Sequence, residues 1–201
     1  MNAKEIVNRI ADYAELSPVP ACSLHSRCGE DAECGYYQVS MAYNFDLVEQ
    51  NYSKNCNIES LPSADAIIAT GGKVIFLEYK SWKSYLERIR RYNPEQLEKQ
   101  AKKYATIKKF ICSIEISRNI SDSDFFDNAE NVVYVLATDI DNDPMKKFTS
   151  SMYFLSATST KLDFVCRKLL DDKLKENFKD IDYKYKHICC WKLDKVLAEI
   201  G

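Results

Sequence analysis

Three residues of this 201-residue chain combine reactive types with a spacing that brings them together: Asp65, Glu78 and Lys80. Ala64 to Thr70 is a β-prone run and Val74 to Tyr79 a second, and Gly71-Gly72 between them is a turn that antiparallel hairpins favour. Closing the hairpin there folds residues near 65 back beside residues near 78, and Glu78 and Lys80, two apart, share a face. Two carboxylates held together raise each other's pKa unless a cation lies between them. A hard divalent cation, Mg²⁺ or Mn²⁺, takes such oxygen ligands and keeps positions for a phosphate oxygen and a water. Lys80 would then steady or deprotonate the attacking water and counter charge on phosphorus. The bland alternative is an incidental ion pair on an exposed hairpin. Ile75-Phe76-Leu77 argues against it, because that run marks a buried strand, where an unpartnered acid costs several kcal/mol.

Other constellations carry less. Cys22, His25, Cys28 and Cys34 form C-x2-H-x2-C-x5-C, a donor set that suits structural Zn²⁺, but no C-x2-C pair is present and reduced thiols are the simpler expectation. Cys112 and Cys166 sit among apolar residues and read as small hydrophobes. Asp139, Asp141 and Asp143 imitate the start of a calcium loop. Pro144 stands where that loop needs Gly and Ser150 where it needs Glu, so they read as a polar turn. His25 and His187 are too far apart in sequence for a histidine-based centre, and neither a nucleophile-elbow nor a P-loop sequence occurs.

The elements that must position the triad follow from periodicity. Ile6, Ile10 and Tyr13 predict an amphipathic helix over residues 2–16, and the alternation of Val39, Met41, Tyr43 and Phe45 a strand over 37–45. A short helical turn is expected at 46–53. A long helix is expected from Tyr85, more firmly from Pro94, to Ile111, with Leu97, Ala101, Tyr104 and Ile111 on one face. The run VVYVLAT at 132–138 reads as a central buried strand, followed by a helix over 161–178, a strand over 185–191 and a helix over 192–200.

Pro62-Ser63-Ala64-Asp65, twelve intervening residues and Glu78-Tyr79-Lys80 resemble the PD-(D/E)xK nuclease superfamily. The stretch LPSADAIIATGGKVIFLEYKSW is most similar to the hairpin of small Holliday-junction resolvases, and Gln100-x3-Tyr104 resembles a motif of RecB-type nucleases. The proline stands three residues before the aspartate instead of adjacent to it. The resemblance implies that Asp65, Glu78 and the Tyr79 carbonyl hold the metal, that Lys80 positions the water, and that Gln100 and Tyr104 support the site. It also implies a further acid on a helix before the hairpin, for which Glu49 is preferred to Glu5. The cysteine positions depart from those of the iron–sulfur relatives, so no cluster is expected.

Composition adds a constraint. Hydrophobic residues make up 46% of the chain and Gly and Pro number 5 each, which excludes a disordered or collagen-like chain and predicts one domain. Its parts would be an N-terminal segment to residue 60, a catalytic core over 61–140 and a C-terminal helical extension over 141–201. The net charge of -2 excludes binding by bulk positive charge. Residues 80–109, however, hold ten Lys or Arg against three Glu. Lys83, Arg88, Arg91, Lys99 and Lys103 are the expected phosphate contacts, with Trp82, Tyr85 and Tyr92 available to stack on bases. No signal peptide or 18-residue apolar run occurs, so a cytoplasmic protein without a membrane partner is expected. The expectation is an α/β fold, a central mixed sheet flanked by helices with a restriction-endonuclease-like core, hydrolysing DNA or RNA phosphodiesters as a monomer or homodimer. The alternatives are a catalytically inactive nuclease-fold module that binds nucleic acid or a protein partner, and a zinc-stabilised interaction module.

Overall fold

The computed structural model of the chain describes residues 1–24, 40–82, 94–103, 106–140 and 158–200, without the side chains of 94, 103, 106 and 158–165. The first helix, α1 (Ala3–Tyr13), opens with a capping box: Glu5 N–H donates to the Asn2 side chain at 3.0 Å, and Asn2 N–H donates to the Glu5 carboxylate at 2.9 Å. Glu5 therefore serves the helix. The helix ends three residues earlier than its apolar period suggests, because Glu15 adopts a left-handed backbone at φ 54°.

Two short strands follow, β1 (Val19–Pro20) and β2 (Met41–Asn44). β1 is not legible in the sequence, being two residues long and ending in proline, which a sheet tolerates at its edge. Asn44 caps α2 (Phe45–Cys56) by accepting the Leu47 N–H at 3.2 Å, and the helix closes on Asn57 in the left-handed region. Next come β3 (Ala66–Thr70) and β4 (Lys73–Lys80), paired antiparallel from Ala66↔Leu77 to Thr70↔Lys73. Gly71 and Gly72 turn between them at φ 53° and 74°, a conformation that glycine adopts without strain.

The helical stretch beginning at Pro94 is described as two segments, α3 (Pro94–Lys103) and α4 (Thr106–Ser121), the second running ten residues past its expected end. Burial of Ser113, Ile114, Ile116, Ser117 and Ile120 against the rest of the molecule outweighs the weak helix propensity of that β-branched stretch. Then come β5 (Val132–Thr138), α5 (Thr158–Asn177), β6 (Lys184–Cys189) and α6 (Leu193–Ile200).

The result is α/β: a six-stranded mixed open sheet in the order β1-β2-β3-β4-β5-β6, flanked by helices. The first four strands form an antiparallel meander, and β4, β5 and β6 run parallel. The C-terminal segment is thus more than a helical extension, since it supplies the sixth strand. Every residue of β5 is buried, as a parallel strand covered on both faces requires. On one face Val74, Phe76, Tyr134 and Leu136 pack against residues of α1, α4 and α5. On the other, Ile75, Leu77, Val133 and Val135 pack against α6. Phe76 stacks edge-on with Phe45 and Phe110 at centroid distances of 5.3 and 6.0 Å, and full burial of each ring contributes roughly 1.5–3 kcal/mol. This aromatic floor lies two residues before Glu78 on the same face of β4. Among the described residues no helix is long and apolar enough to cross a membrane.

Candidate active site

The hairpin register sets Asp65 opposite Glu78, because Ala66 pairs with Leu77. Asp65 is held along its backbone on both sides: its N–H donates to the Leu77 carbonyl at 2.9 Å, and its carbonyl accepts the Phe45 N–H at 3.1 Å. One carboxylate oxygen, Oδ2, accepts the Tyr79 N–H at 2.6 Å, which leaves Asp65 Oδ1 turned to Lys109.

Glu78 is 0% exposed. Its Oε1 pairs with both Lys80 Nζ and Lys109 Nζ, the latter at 2.7 Å, whereas Oε2 is buried without a hydrogen-bond partner. Lys80 Nζ also donates to the Tyr79 carbonyl at 2.9 Å and lies 3.9 Å from Asp65 Oδ2. Lys109 Nζ lies 3.5 Å from Asp65 Oδ1. The two carboxylates predicted to be neighbours therefore converge, with two ammonium groups between them. Burial, with Asp65 adding to it, pushes the Glu78 carboxyl up to about 7 against the pull of Lys80 and Lys109. Burial alone would lower Lys109, but Glu78 and Asp65 outweigh it and raise its pKa.

Three residues that the sequence reading did not assign to the site complete it. Lys109 was visible only as one charge in the basic window, yet it continues a row of serines at positions 113, 117 and 121 that α4 buries. A lysine at that spacing reaches the same side of the helix. Ser113 Oγ donates to the Lys109 carbonyl at 2.8 Å and accepts the Ala64 N–H at 2.9 Å, fixing α4 against the loop that carries Asp65. Asp46, in the first turn of α2, accepts the Ser63 hydroxyl at 2.8 Å. Its carboxyl is raised by burial, offset by that hydrogen bond and reinforced by Asp65.

Asp46, and not Glu49, is therefore the helix acid beside the pair. Glu49 accepts from Ser53 Oγ at 2.7 Å, Ser60 Oγ at 3.1 Å and the Leu61 N–H at 2.6 Å, so it is committed to holding the 57–61 loop on α2. Gln100 lies half-buried on α3 and makes no hydrogen bond to the acids. Lys99 is exposed on the same helix. Trp82 is fully buried in the core, its backbone N–H donating to Asp139 Oδ1 at 2.6 Å, so it is no platform for a base. Ser81 Oγ donates to Asp139 Oδ2 at 2.6 Å, and Asp139 is the polar tie between the ends of β4 and β5. Lys83, Tyr85, Arg88, Arg91, Tyr92, Tyr104, Asp141 and Asp143 lie outside the described residues, as does the Lys103 side chain. So do His25, Cys28 and Cys34; Cys22 is a half-buried thiol in the 3₁₀ turn Ala21–Leu24.

A second polar cluster stands two strands away on the same face. His187 bonds Thr138 Oγ1 through Nε2 at 2.9 Å and Asp171 Oδ1 through Nδ1 at 2.6 Å, while Arg167, 6% exposed, donates to the His187 carbonyl at 2.7 Å. Burial lowers the His187 pKa, with Asp171 opposing and Arg167 adding, so the neutral ring donates to Asp171 and accepts from Thr138.

Among the described residues, no group of three His, Cys, Asp or Glu side chains could hold a metal ion. The donors at the hairpin suit a hard cation that takes one or two carboxylates and leaves its other positions to water and substrate: Asp65, Glu78 with its unpartnered Oε2, and the Tyr79 carbonyl. Softer metals would want the sulfur or imidazole ligands that this face of β4 does not offer. Compared with family models, curated proteins and solved structures, the chain matches none.

Proposed function

We propose that the chain is a divalent-metal-dependent nuclease that hydrolyses phosphodiester bonds of DNA in the manner of the PD-(D/E)xK superfamily. The observation that carries this reading is the convergence of Asp65 and the fully buried Glu78 beside Lys80, with Glu78 Oε2 unpartnered in a site that burial makes costly to keep charged. Asp65, Glu78 and the Tyr79 carbonyl would hold Mg²⁺ or Mn²⁺. When bound, such an ion supplies Lewis-acid polarisation of the phosphodiester. The chain's own groups do the rest. Lys80, 20% exposed, presents its ammonium to the attacking water and to charge developing on the phosphoryl oxygens. Exposed Lys99 and the other basic residues of 80–109 contribute backbone contacts to the nucleic acid.

Purified protein should cleave DNA when Mg²⁺ or Mn²⁺ is added and stop when EDTA is added, and Lys80→Ala should lose the activity while still melting cooperatively. Absence of metal-dependent cleavage of both DNA and RNA sinks the enzyme reading. One observation favours the alternative, a nuclease-fold module that binds without cutting: Lys109 already neutralises the acid pair. Retention of DNA by a protein that never cuts would select it.

A further inference from the structure

Resting on the metal-site reading above, we infer that Lys109 is an internal counter-ion occupying the cation position between Asp65 and Glu78, which a divalent metal must displace in order to bind. Its Nζ stands 2.7 Å from Glu78 Oε1 and 3.5 Å from Asp65 Oδ1, so it bridges the same two carboxylates that would chelate the ion. A hard cation draws its oxygens to about 2.0–2.6 Å and demands the volume between them. An ammonium and a metal cannot share it.

Lys109 is also the cation built to leave. Lys80 follows Glu78 by two residues on the strand itself, so it travels with the acid and is placed by the same backbone. Lys109 reaches in from α4 on a four-carbon stem with its side chain 22% exposed, and both of its ionic partners are the carboxylates that the metal would claim. Withdrawn from the pair, its ammonium stays at the mouth of the site, where a phosphate can receive it. Lys109 is thus a positioning residue that sets metal affinity. Metal loading and exposure of a phosphate-binding cation become one event.

The test is Mn²⁺ binding without nucleic acid, by the loss of the free-ion EPR signal and by calorimetry, on wild type, Lys109→Met, Lys80→Met and Asp65→Asn. Lys109→Met should bind Mn²⁺ roughly tenfold or more tightly than wild type, Lys80→Met should gain less, and Asp65→Asn should lose binding. Affinity in Lys109→Met equal to or weaker than that of a wild type that binds Mn²⁺ overturns the inference and leaves the metal site standing. Binding by Lys109→Met but not by wild type supports the inference and overturns the nuclease reading. Binding by neither overturns both. Should Lys109→Met fail to fold, Lys109→Gln, neutral and able to hydrogen-bond, carries the same comparison.

Discussion

Two buried polar clusters share one face of the sheet, and they are built on opposite terms. Around His187 each buried polar group has a partner: Thr138 and Asp171 take the two ring nitrogens, and Arg167 takes the strand carbonyl. Around Glu78, two ammonium groups crowd one carboxylate oxygen and the other has no partner. A fully satisfied network fixes a core in one arrangement, whereas a buried acid left half-satisfied destabilises the fold and persists where something else completes it. The first cluster pins α5 to the edge of the sheet, and the second leaves a buried carboxylate oxygen without compensation.

The sharpest way to break this contrast is by activity. Glu78→Gln and Asp65→Asn should each reduce metal-dependent cleavage by about 10²- to 10⁴-fold, while His187→Gln leaves turnover of the folded protein unchanged. Equal losses from both clusters, in matched cleavage assays, would erase the distinction. Stability should order the clusters the other way. Arg167→Met should cost about 1–3 kcal/mol in denaturant unfolding, because it strips the buried His187 carbonyl of its partner. Lys80→Met should cost less, since Glu78 can take up a proton instead.

The two clusters should also titrate in opposite directions. The folded chain holds the Glu78 proton up to about 7 against an ordinary value of 4.5, so it binds more protons than the unfolded chain across that interval. Metal-free stability therefore falls as pH rises from about 4.5 to about 7, by at most about 3 kcal/mol. Glu78→Gln should flatten that slope in melting curves, and saturating Mn²⁺ should reverse it. His187 resists protonation when folded, so its contribution is present above its ordinary 6.5 and is lost as pH falls below it, a smaller change that His187→Gln removes. The smallest expected effect is at the surface: Lys99→Ala should weaken DNA binding modestly and lower the salt slope of log K by about 1.

What was legible in the sequence is what lies close along the chain. The Gly71-Gly72 turn fixes the register of β3 and β4, and that register alone sets Asp65 against Glu78. The run 132–138 announces β5 because a strand covered on both faces has no polar positions to interrupt it. Asp46, Lys109 and Ser113 were not assigned because each reaches the site only after a helix packs onto the sheet, and no local period records which helix face meets which strand. Glu49 was preferred for its place on a helical segment nearer in sequence, but two of its three hydrogen bonds hold the loop after α2 and the third stays within the helix. Trp82 stands among basic residues in the sequence, which suggested exposure, and is buried in the core.

The way Asp65 and Glu78 are brought together differs from the way Lys109 reaches them. Their meeting requires only a tight hairpin, whereas Lys109 lies 31 residues from Glu78 and arrives when α4 docks. The hairpin by itself sets two acids face to face with Lys80 as their nearby counter-charge. Docking of α4 then does two things at once, burying Phe110 over Phe76 and delivering the second ammonium to Glu78. This helix is held to the face by charge as well as by apolar area.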